Sequence, residues 1–196
     1  MRLDRKPLKR VLLWSHRLLV VAAVSMLAWC GYVLADTWSF QRTEERQFEG
    51  LRVGRIATPG PARTPAAGGL IGRIDIPRLS ISVMVIEGTG AAALRRAAGH
   101  ISGTAMPGQR GNIGISAHRD TFFRPLRNIR KGDVISLTTI EGEYRYGVVS
   151  TNIVMPSDVA VLQSKGREVL TLVTCYPFYF LGAAPDRFIV QAERME

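Results

Sequence analysis

Cysteine, histidine and arginine are the residue types in this 196-residue chain able to support nucleophilic acyl chemistry, and three of them stand at probable strand ends. Cys175 closes the run EVLTLVTC and precedes Tyr176-Pro177, where a strand stops and an irregular loop begins. A thiol attacks as thiolate and its leaving amine must be protonated, so a histidine partner is required. His118 ends the apolar run GNIGISAH ahead of Arg119-Asp120, a setting like that of Cys175. His100 follows Ala98-Gly99 in a helix-to-strand connection and reads either as a structural histidine or as part of the site's rim. His16, in a basic segment, is set aside as an interfacial residue. Arg187 opens the last strand. If residues 176–186 fold back, Arg187 and Cys175 become neighbours on antiparallel strands, where a guanidinium would neutralise an oxyanion. Taken singly, an inert core cysteine, a surface histidine and a solvated arginine explain the same residues.

Other chemistries lack their motifs. There is no CxxC, no HExxH, no phosphate-binding glycine loop and no GxSxG elbow. Asp133, Glu141 and Glu143 are the only acidic group considered for calcium, and solvated turn carboxylates are the commoner outcome, so no obligatory metal and no cofactor are expected. Half of the net charge of +10 lies in the first 17 residues, and the rest is scattered without an aromatic-lined basic stripe. Nucleic acid is therefore not an expected partner.

Residues 18–35, LLVVAAVSMLAWCGYVLA, are uncharged and as a helix would rise about 27 Å, against a hydrocarbon core of about 30 Å. The basic residues 1–17 place the N-terminus in the cytoplasm and the remainder outside. A retained anchor in the cytoplasmic membrane is favoured over a cleaved signal peptide, because the apolar run is longer than a secretory core. A lipoprotein signal at Cys30 is disfavoured by Trp29. Residues 36–69, with Pro59, Pro61 and Pro65 and the Gly68-Gly69 pair, read as an extracytoplasmic tether. From residue 70 to 196, runs rich in β-branched residues alternate with Gly, Pro, Asn and Asp, with a short helix at Ala91–Ala98. Seven or eight strands with few helices are most economically closed into a barrel, which leaves no exposed edge.

TLVTC at Thr171–Cys175, SAHRD at Ser116–Asp120 and DRFIV at Asp186–Val190 resemble, in this order, the motifs of the sortases, most closely the class D or similar Gram-negative group. CYPFYFLGAAPDRF adds to the class D likeness. The resemblance implies an eight-stranded sortase-type β-barrel, with Cys175 as nucleophile, His118 as general acid and base, and Arg187 stabilising the oxyanion. Thr174 is expected to line the cleft or assist the oxyanion, and Asp120 and Tyr176 to bind substrate. It further implies cleavage of an LPXTG-like C-terminal sorting motif on exported proteins and transfer of the acyl group to an amine. Whether that amine belongs to a peptidoglycan precursor or a pilin-type lysine stays open. The rival readings are a non-catalytic anchored barrel that binds or assembles peptides, and a cysteine hydrolase on the same fold.

Overall fold

The computed structural model describes residues 5–54, 65–163, 166–179 and 182–195. The chain divides into two compact units, Met1–Ser39 and Phe40–Glu196. The described part of the first belongs to a single helix, α1, spanning Arg5–Gly54. Its apolar side chains, among them Trp14, Leu19, Leu27 and Trp29, are exposed. A helix this long and apolar is a candidate membrane anchor, since lipid is the solvent such a surface suits.

The second unit is a closed barrel. Its strands are β1 (Leu70–Ile76), β2 (Ile81–Glu87), β3 (Ala98–His100), β4 (Gly111–Ser116), β5 (Val134–Thr139), β6 (Glu143–Val154), β7 (Glu168–Tyr176) and β8 (Asp186–Arg194). They close in the order β1-β2-β3-β4-β7-β8-β6-β5. Closure pairs the backbone groups that an open sheet would leave at its edges, as the sequence pattern anticipates. The expected short helix is α2, Ala91–Arg96, between β2 and β3.

Alternation decides which side chains enter the barrel. Ile74, Val83, Val85, Ile113, Ile115, Ile135, Leu137, Leu170, Leu172, Val190 and Ala192 point inward and form one core with Phe123, Leu126 and Tyr146. Tyr146 donates its hydroxyl to Glu168 at 2.6 Å, and burial first, then this bond, raises its pKa above the usual phenolic range. The three acidic residues considered for calcium do not converge. Asp133 is bonded by the Arg78 guanidinium and by the Arg130 N–H, while Glu141 accepts from Thr139 Oγ1. Among the described residues no cluster of three or more His, Cys, Asp or Glu is suited to a metal.

The stretch expected as a tether is helical through Gly54, and residues 55–64 lie outside the described part. Gln41, Glu45 and Phe48 recur at helical spacing and so share one face. In the barrel unit that face is engaged. Phe48 is buried, Glu45 pairs with Arg73 of β1 at 3.1 Å, and Gln41 Oε1 accepts the Met84 N–H of β2 at 2.9 Å. No proline or glycine interrupts 36–48, which is why the helix can run on past the apolar segment.

Candidate active site

Two adjacent strands and the segment just past a third carry the three groups singled out by sequence. Parallel β4 and β7 pair Gly114 with Thr171 and Ser116 with Val173, and antiparallel β7 and β8 pair Cys175 with Arg187. The ladder extends one bond beyond β4, from the Ala117 N–H to the Val173 carbonyl at 3.3 Å. Continuing that register by two residues sets His118 level with Cys175. Neighbouring strands run about 4.8 Å apart, so the thiol stands between the imidazole-bearing and guanidinium-bearing chains.

Face matters as much as register. Leu170 and Leu172 point into the core, so Thr171, Val173 and Cys175 point out, along with Arg187, Ile189 and Gln191 of β8. One end of this outward face is covered. Thr171 Oγ1 donates to Asn112 Oδ1 at 2.7 Å, and Asn112 Nδ2 and Gln191 Nε2 both donate to the Val161 carbonyl, at 2.9 and 3.3 Å. These bonds hold the 3-10 turn Val159–Leu162 of the β6–β7 connection over the base of the three strands. Gly114 permits the closeness, because a Cβ there would lie 3.2 Å from Leu162. Cys175, Arg187 and His118 sit half-buried at the other, open end.

The ring of His118 and the thiol of Cys175 have no hydrogen-bond partner within the protein among the described residues. Their valences are available to each other and to a substrate. Arg187 Nη1 donates to the Ala184 and Asp186 carbonyls of its own loop, at 3.3 and 2.9 Å. A guanidinium carries five N–H donors, so these bonds leave others for an oxyanion.

Not all the expected residues meet at the thiol. Thr174 is only 2% exposed on the opposite face of β7, where its hydroxyl donates to the Ala117 carbonyl at 2.8 Å. It braces β7 against the residue before His118 and does not line an open cleft. Tyr176 shares that inward side, with its ring stacked on Phe188 and edge-on to Phe178. Asp120 is exposed on the turn after His118. His100 is 1% exposed and fully bonded, its Nδ1 2.7 Å from Glu87 Oε2 and its Nε2 3.0 Å from the Ala105 carbonyl. It is the structural histidine of the two readings. Arg119 and the Asn112–Thr171 pair carry no role in the sequence reading, because only the fold brings their partners close.

The sortase domain family model matches residues 74–195. Sortase D of Bacillus subtilis is 36% identical over 132 residues, covering 67% of each chain. Sortase A of Bacillus anthracis is 28% identical over 140 residues, 67% of this chain and 66% of that one, so the match spans about two thirds of the length of these curated relatives. Among solved structures, a Sortase D5 transpeptidase of Clostridium perfringens superposes with a TM-score of 0.66 at 26% identity, over 81% of this chain and 97% of that one. Strand order, ordered motifs and these likenesses agree: the chain belongs to the sortase family of cysteine transpeptidases.

Proposed function

We propose that Cys175, His118 and Arg187 are the catalytic residues and that the enzyme cleaves an LPXTG-like C-terminal sorting motif on exported proteins. The Cys175 thiolate adds to the scissile carbonyl, Arg187 neutralises the oxyanion, and His118 protonates the leaving amine. The thioacyl bond is then resolved by an incoming amine, from which His118 takes a proton. The observation that carries this reading is the direct pairing of Cys175 with Arg187 on β7 and β8, with β7 also paired to β4, the strand that leads into His118. In the membrane the basic N-terminus lies in the cytoplasm and the barrel outside. An anchor of this kind keeps the enzyme at high effective concentration beside membrane-bound substrates.

Incubating the full chain in detergent with a peptide bearing an LPXTG-like motif and a primary amine should release the C-terminal fragment and form the amine adduct. Cys175→Ala should lower the rate by about 10³-fold or more, the scale of losing a nucleophile. Undiminished turnover by that variant would sink the assignment.

A further inference from the structure

Arg119 lies one residue beyond His118, in the turn after β4, and its side chain reaches the loop between β7 and β8. Nη1 donates to the Pro177 carbonyl at 3.0 Å and Nη2 to the Gly182 carbonyl at 2.9 Å. These two acceptors stand on opposite limbs of the connection that leads from Cys175 to Arg187. A planar guanidinium presents paired donors in a fixed fork and so can hold both limbs at once.

The residue on the other side of His118 is tied to β7 itself. Ala117 gives its N–H to the Val173 carbonyl and accepts the Thr174 hydroxyl. His118 is thus bracketed. Ala117 locks to β7 just before Cys175 and Arg119 locks to the chain just after it. The His118 carbonyl also accepts the Phe123 N–H at 3.1 Å, which closes the turn on which the ring is mounted.

We infer that Arg119 is a positioning residue for the transpeptidation site, its fork holding the His118 turn at a fixed separation from Cys175 and steadying the loop that precedes Arg187. It touches no reacting atom. The inference rests on the catalytic reading of Cys175 and His118 given above.

Full-length protein in detergent, carrying Cys30→Ser so that Cys175 is the sole thiol, separates the possibilities. Arg119→Ala should lower kcat about tenfold to a hundredfold, the scale of a misplacement near 1 Å, while KM stays within about twofold. Arg119→Lys, which keeps the charge and loses the fork, should fall between the two. Alkylation of Cys175 by iodoacetamide, followed against pH, provides a readout without substrate. Its profile should shift in both Arg119 variants if the thiol–imidazole geometry has loosened. Should Arg119→Ala fail to fold, the lysine variant carries the test. An unshifted alkylation profile, or a fall in kcat that merely follows the folded fraction, overturns the positioning role. Full activity in Cys175→Ala would instead overturn the catalytic reading, and this inference with it.

Discussion

The surroundings of His100 and His118 differ in what the ring nitrogens are allowed to do. His100 belongs to β3, with its ring under the loop 101–105. Its Nε2 faces the Ala105 carbonyl, which can only accept. The Thr104 hydroxyl, also 3.0 Å from Nε2, gives its proton to the Ile101 carbonyl, so Nε2 must be the donor there too. Nδ1 then shares one proton with Glu87, whose second oxygen accepts from Ser102 at 2.6 Å. Every valence is assigned, and a proton taken from this network breaks it. His118 sits half-buried beyond the end of β4, with its ring unpartnered among the described residues. The pair shows how one fold separates a histidine whose nitrogens are taken up by structure from one whose ring nitrogens are left available.

Replacing each histidine by glutamine should drive the two regions apart in opposite ways. His118→Gln is expected to lower kcat/KM about 10³-fold, within the range for a general acid–base, with the melting temperature nearly unchanged. Kinetics and a thermal melt on the same sample check it, and a large drop in melting temperature would erase the contrast. His100→Gln should leave turnover per folded molecule intact and cost roughly 3 kcal/mol, because it strands a buried carboxylate. Denaturant unfolding measures that cost, and a selective loss of kcat would place His100 in the site after all.

The smallest effect concerns acid and tests a carboxylate that lies outside both regions. The bond from Arg78 comes first in holding the Asp133 pKa below the ordinary carboxylate value, with burial opposing and the Arg130 N–H assisting. A depressed folded pKa contributes stability above the unfolded value of about 4, and that contribution fades as pH falls through the folded value. Asp133→Asn should therefore flatten the loss of stability below about pH 4 while leaving the pH profile of turnover unchanged. A melting temperature that declines with acid as steeply as in the unsubstituted chain would contradict it.

The barrel and the site were unequally legible in the sequence. Strands such as GNIGIS and EVLTLVT announce themselves through β-branched runs between turn residues, and the three ordered motifs point to the residues proposed as catalytic. The partners of His100 were not legible, because Glu87 lies thirteen residues upstream and reads as an ordinary acidic strand end. Thr174 is a similar case. Its motif position suggests a cleft residue, but the period of two turns it inward, away from Cys175. The helical run through 36–54 was hidden by its mixed charge, which resembles a solvated spacer unless the spacing of Gln41, Glu45 and Phe48 is followed.

Gln41 has one more consequence. Its primary amide accepts the Met84 N–H and donates to the Arg96 carbonyl, as a peptide unit of a neighbouring strand would. It does so beside the part of β2 that β3 leaves uncovered, since β3 pairs only with Val85–Glu87. A single side chain thus patches a seam in the cylinder from a position 29 residues ahead of its first strand. A chain shortened to begin at Leu70 would retain every strand together with Cys175, His118 and Arg187, yet expose that seam as a template for a foreign strand. The protection of that seam is therefore written partly into sequence that lies outside the barrel.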